Sequence, residues 1–148
     1  MHLNLLNDIK VIPVEPYASA ATSTLTTDVV DTQGFDSIAF IAYIGDATSG
    51  ATITLTGKTN TANSTSSPTP VTLADTVAYT AGASDADDKV MILDLHKPRD
   101  RYVFATLTRA DQNVVLNGII AVLYNAHQLP VTQHASVIDS TFKNDPSA

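Results

Sequence analysis

Residues 101–124, RYVFATLTRADQNVVLNGIIAVLY, constrain the fold of this chain more than any other stretch. Two long apolar runs flank a polar turn, Arg109-Ala110-Asp111-Gln112-Asn113. In the first run Tyr102, Phe104 and Thr106 oppose Val103, Ala105 and Leu107. In the second, Val114, Leu116, Ile120 and Val122 oppose Val115, Ile119, Ala121 and Leu123. Both faces of both runs are largely apolar. A half-wet surface hairpin would keep one polar face, so this is the pattern of strands covered on both sides. The β-branched and aromatic residues favour strand over helix. The stretch reads as a long antiparallel hairpin at the centre of an all-β fold.

The rest of the chain supplies its partners. Residues 1–23 read as an N-terminal arm, because Pro13 and Pro16 cannot donate to a ladder and keep it off a central position. Residues 25–31 form a weak strand. Asp36–Ile44 is a strand with two apolar faces, whereas Thr52-Ile53-Thr54-Leu55-Thr56 alternates cleanly and is half exposed. Residues 57–70, GKTNTANSTSSPTP, are too polar to bury much and read as a long surface loop. Val71–Leu73 and Val77–Tyr79 are short strands, Ala81–Asp88 an acidic turn, and Lys89–Leu95 a further strand. After Tyr124 the pattern stops, and residues 125–148 read as an extended C-terminal tail. Residues 24–124 then form one domain of about eight strands with no helix, a β-sandwich or jelly roll. The 20 Thr and 11 Ser among 148 residues fit that class, since Thr favours strands and Ser loops.

Several chemistries lack the residues they need. There is no cysteine, hence no disulfide framework and no thiolate metal site. The net charge of −7 sets the chain against nucleic acid and anionic membranes as partners. The opening MHLNLLNDIK lacks the features of a signal peptide, and no run reaches the length of a membrane span. The expectation is a soluble chain made in a cytoplasm. Asp85-Ala86-Asp87-Asp88 fails the EF-hand spacing, because Lys89, Val90 and His96 fall where an oxygen ligand, a glycine and a glutamate are required. It is either a solvated acidic turn or an irregular cation site. His2, His96, His127 and His134 show no zinc-ligand spacing, and no nucleophile elbow or phosphate loop occurs. The chain is therefore read as no enzyme, with no catalytic residue, no metal and no cofactor. Lys97, Arg99, Arg101 and Arg109 form the one basic cluster. They read either as salt-bridged strand ends or as a contact for an acidic partner surface, with Lys97, Arg99 and Arg101 on one face if extended. Val131, Val137, Ile138 and Phe142 are apolar points at which the tail could dock, as are Leu3, Leu5, Leu6 and Ile9 in the arm.

A family resemblance adds a function. Val30–Ser37 followed by an apolar strand looks like the start of small virion proteins of tailed bacteriophages. Arg101-Tyr102-Val103, Thr108-Arg109, Asn117–Tyr124 and Pro130-Val131-Thr132-Gln133 together resemble head decoration, or cement, proteins encoded near the major capsid protein. The resemblance covers residues 29–44 and 101–133. An acidic middle segment common in that family is replaced here by the Ser/Thr loop. The resemblance implies a virion protein on the capsid exterior that stabilises the lattice. Its partners would be the major capsid protein and itself, as a trimer first and a dimer next, with no nucleic acid and no membrane. The alternatives are a head–tail joining or tail structural protein, or a carbohydrate-binding host-attachment β-sandwich.

Overall fold

A computed structural model describes residues 4–143. The first three residues of the expected arm, Leu3 among them, and the last five of the tail lie outside the described residues.

The described residues form ten strands: β1 Lys10–Glu15, β2 Ala18–Ala21, β3 Thr24–Thr26, β4 Val30–Asp31, β5 Phe35–Ala47, β6 Thr52–Asn60, β7 Val71–Thr80, β8 Val90–His96, β9 Tyr102–Ala110 and β10 Val114–Ala126. They make two antiparallel five-stranded sheets. In the first the order is β1-β10-β5-β8, with β2 also on β10; in the second it is β3-β9-β6-β7, with β4 also on β9. β1 and β2 lie end to end along one edge of β10. β3 and β4 lie end to end along β9. Merging each pair leaves eight strands, and every link except β6–β7 then crosses between the sheets. That is the strand order of a jelly-roll sandwich, and the expected all-β sandwich is what the chain adopts.

The core lies between the sheets. Ile38, Phe40, Ala42 and Ile44 of β5 and Leu116, Ile119, Ala121 and Leu123 of β10 face Ile53 and Leu55 of β6 and Val103, Ala105 and Leu107 of β9, all essentially inaccessible. Strand alternation puts the intervening residues on the outer faces.

The central hairpin does not form. β9 pairs with β3, β4 and β6, while β10 pairs with β1, β2 and β5. The turn at 111–113, with Asp111 at φ 68°, is an arch that carries the chain from one sheet to the other. An apolar pattern shows that a strand has a core side but does not name its hydrogen-bonded neighbour, and adjacency in sequence suggested the wrong one. Val122, expected to be buried, points outward and is half-buried.

Other boundaries move for local reasons. Residues 10–21, inside the stretch set apart as an arm, are the edge strands of the first sheet, with Val14 only 2% exposed. Pro13 is accommodated because β1 is an edge, at a register shift. Ahead of it, one helical turn, α1 Leu5–Asp8, is capped by the Asn4 side chain on the Leu6 N–H, where no helix was expected. β6 continues through Gly57 to Asn60, so the polar loop shrinks to 61–70. Gly57 faces the core, where a Cβ would meet the Leu73 and Leu95 side chains at 3.1 Å. The glycine makes room for those leucines rather than ending the strand. Asn60 then braces the loop, donating to the Ser64 and Pro68 carbonyls. The two short strands expected at 71–73 and 77–79 are one, β7.

Leu116 is fully buried, so Leu116→Ala should cost about 2–5 kcal/mol, against about 1 kcal/mol or less for Val122→Ala. Denaturant midpoints of the two variants should separate accordingly; equal losses would contradict the arch.

Candidate interaction surfaces

The four basic residues part company. Arg109 is 4% exposed. Its Nε donates to Ser23 O, its Nη1 to Ser19 O and Val114 O, and its Nη2 to Ser23 Oγ. It is an internal tie, and the expected partner contact there is corrected by its burial. Arg101 donates through Nε and Nη2 to both Asp31 carboxylate oxygens at 2.7 Å and lies 5.1 Å from the Tyr102 ring centre. That hydrogen bond is the main reason the Asp31 carboxyl is held below its usual range. Lys97 and Arg99 are exposed. They sit in a bend-rich turn, with Lys97 at φ 50°, so the shared face expected of an extended run is absent. Nothing in the sequence pattern set Arg109 apart from the other three, since it opens a polar turn as they flank one.

The tail begins at the same pole. His127 Nε2 lies 2.8 Å from the Asp36 carboxylate, while the Asp36 carbonyl accepts the Lys97 N–H. Val131 N–H donates to Asn7 O. Gln133 clamps the N-terminal segment: its Nε2 donates to Leu6 O and Ile9 O, and its Oε1 accepts the Val11 N–H. The PVTQ stretch thus holds the two chain ends together, a role no residue pattern suggested. Beyond the clamp, Val137 is half-buried, Ile138 is fully exposed and Phe142 is 54% exposed. Leu5 and Leu129 are also exposed.

The acidic turn is hydrogen-bonded to the protein itself. Asp85 accepts from Gly82 N–H and Tyr79 OH, and Asp87 accepts from Ala47 N–H. Among the described residues no group of three His, Asp or Glu side chains is placed to hold a metal ion.

The sheets differ on their outer faces. On the second sheet, rows Thr24–Thr108–Thr54 and Thr26–Thr106–Thr56–Thr76 cross the strands, a hydroxylated, neutral surface. On the first, the corresponding row is Pro13–Ile120–Ile41–Ile92, flanked by Tyr43 and Val90 on one side and Val11, Val122 and Ala39 on the other. A groove of about 390 Å³ lies among Pro13, Ile41, Tyr43, Val90 and Ile120. Glu15 also lines it, its carboxyl pushed up first by burial and then by Asp28, against the pull of Arg109.

One end of this face is polar. Tyr124 OH donates to Asp94, and this bond raises the phenol pKa. Ser37 Oγ lies 2.8 Å from His96 Nδ1 and accepts from Asn125 Nδ2. A Ser–His pair invites a nucleophile reading, but Ser37 is 1% exposed and a substrate has no way to its oxygen. The cluster is a satisfied polar cap on the sheet end. It escaped the sequence because its three parts, Ser37, Asp94 with His96, and Tyr124 with Asn125, are 28 to 88 residues apart.

The molecule is thus defined as an antiparallel β-sandwich with an apolar outer face and a pole at which residues 127–133 join the segment 6–11 and, at Asp36, a basic turn. Comparison with protein-family models and with curated proteins gives no match.

Two outcomes follow. Arg109→Met removes the side-chain donor from Ser19 O and Val114 O, and from Ser23 O, which keeps the Arg109 N–H, and should lower stability by about 2 kcal/mol or more. Arg109→Lys should recover only part, since one ammonium cannot span the same acceptors; equal midpoints for native and Met chains would refute the tie. The Asp31–Arg101 pair has a depressed carboxyl pKa, so its stabilisation is complete above the ordinary value of 3.8 and fades as pH falls through the lowered one. Asp31→Asn should therefore lower the Tm at neutral pH and show a smaller acid-induced drop. A parallel pair of Tm–pH curves would argue against it.

Proposed function

We propose that this chain is a virion structural protein that binds the outer surface of a tailed-bacteriophage capsid lattice and stabilises it, as a decoration or cement protein. The resemblance of residues 29–44 and 101–133 to that family supports the reading. The observation that carries it is the pole. The turn bearing Lys97 and Arg99, from one expected contact set, and His127 at the root of the tail that bears Val137, Ile138 and Phe142, from the other, meet at Asp36, through its carbonyl and its carboxylate respectively. A sandwich that exposes Lys97 and Arg99 at the pole where the tail begins, and Ile138 and Phe142 further along that tail, suits an acidic protein surface with hydrophobic recesses. Val131 belongs to the root of that peptide, while Arg101 and Arg109 serve the fold. The chain carries no reaction in this reading; it needs no cofactor, metal, nucleic acid or membrane, and among the described residues no helix is long and apolar enough to cross one.

Burying three tail side chains would contribute about 5–8 kcal/mol before ordering entropy is subtracted. Single docking events are then weak, and repetition over a lattice makes them effective. A chain ending at Gln133 keeps the clamp and should fold with nearly native stability. It should bind heads built from the cognate major capsid protein with lower occupancy and protect them less against heat. Full occupancy and protection by the shortened chain would overturn the assignment of the tail.

A further inference from the structure

The outer face of the first sheet lacks the second cover that its strands are patterned for. β5, β8 and β10 carry apolar residues on both sides, and the opposing sheet covers only one. Val90, Ile92, Tyr43 and Ile120 remain 55, 53, 45 and 44% exposed. Exposed apolar side chains scattered singly need no explanation, but these are contiguous across three neighbouring strands, β8, β5 and β10. We propose that this face is a self-complementary interface, stacked on the same face of a second copy of this chain.

Area, charge and symmetry select that occupant. Four strands at about 4.8 Å spacing, with their side chains, are roughly 19 Å wide, and the 13-residue strands β5 and β10 run about 44 Å. Only β5 and β10 run that length, β1 and β8 having 6 and 7 residues, so the face offers about 640 Å² per copy and two copies about 1,300 Å², at the lower end of stable interfaces. Each copy carries a charge of −7, so two copies repel wherever acidic groups approach. The row Pro13–Ile120–Ile41–Ile92 contains no charge; of the carboxylates bordering it, Glu15 lines the groove half-buried and Asp94 accepts from Tyr124 OH. Two such faces meet with apolar surface at the centre and the Tyr124–Asp94 and Ser37–His96 groups at the rim, the usual anatomy of an interface. A sheet face pressed on its own copy closes at two, because the contact consumes the same patch on both partners. That predicts a two-fold pair in place of the three-fold assembly expected from the family resemblance. The inference stands apart from the capsid reading and holds or fails without it.

Sedimentation of the full chain over a micromolar concentration series tests it. The native chain should be a dimer, since interfaces of this size bind at micromolar strength or tighter. Ile120→Asp and Ile92→Asp should each weaken association by about 100-fold or more, because the two-fold presents every substitution twice and buries an unpaired charge. Thr54→Asp, on the threonine face, should leave the dimer intact. Thermal unfolding checks that each variant folds. Hydrogen exchange of the native chain supplies a readout free of mutation: residues 39–43 and 118–122 should gain protection as concentration rises. A monomer at every concentration, a trimer, or an Ile120→Asp chain that pairs as tightly as the native one would overturn the proposal. So would protection of the face that is independent of concentration and vanishes when residues 134–148 are deleted, which would assign the cover to the chain's own tail.

Discussion

Arg109 holds the crossing points of the sandwich in place. A guanidinium that is 4% exposed has lost most of its hydration, and burial of that kind is tolerable only when the donors are met. Here they are met mainly by backbone: Ser19 and Ser23 carbonyls from the segment that carries the chain from the first sheet to the second, and Val114 at the start of β10. One side chain on β9 thereby fixes both the β2–β3 crossing and the far end of the β9–β10 arch. A jelly roll has many such crossings and few hairpins, so its sheets are joined by connections that satisfy little of their own backbone.

The same residue shows where reading the sequence succeeds and where it stops. Periodicity revealed the strands, because alternation is a property of each segment alone: β5, β8, β9 and β10 all lie where two-sided or alternating apolar runs place them. Partner choice depends on the whole sheet, and the 101–124 stretch went to two sheets. Gly57 misled for a related reason. Taken alone it is a breaker, yet its missing side chain is what lets Leu73 and Leu95 fill the core. Arg109 looked like its neighbours Arg101 and Arg99 because charge suggests surface, and only the fold reveals which cation is surrounded by carbonyls. Gln133 and Ser37 carry no local signal at all, since their partners lie up to 127 residues away.

One distinction was legible and was given too little meaning. β6 alternates cleanly between Ile53 or Leu55 and threonine, and it lies in the sheet whose outer face is threonine. Of the runs with apolar residues on both sides, β5, β8 and β10 lie in the other sheet, while β9 lies in the threonine sheet, where its outward Phe104 is already covered at 1% exposure. A strand needs only one apolar face to hold a sandwich together. The second apolar face on three neighbouring strands is therefore surplus to the fold of a single chain, and it costs solubility unless something covers it.

The surfaces so defined are geometrically separate. The apolar row crosses the sheet at Ile41, while the pole with Lys97, Arg99 and the clamped tail lies beyond Ser37 and Phe35 on the same strand. At about 3.4 Å per residue, several residues of β5 separate the two by well over 10 Å. Occupying the face leaves the pole open, and a two-fold pair presents two such poles from one rigid body. Weak contacts at each pole are then linked, so the second engages at the high effective concentration set by the first. Affinity for a repeating surface can thus rest on segments too short and too polar to bind tightly alone.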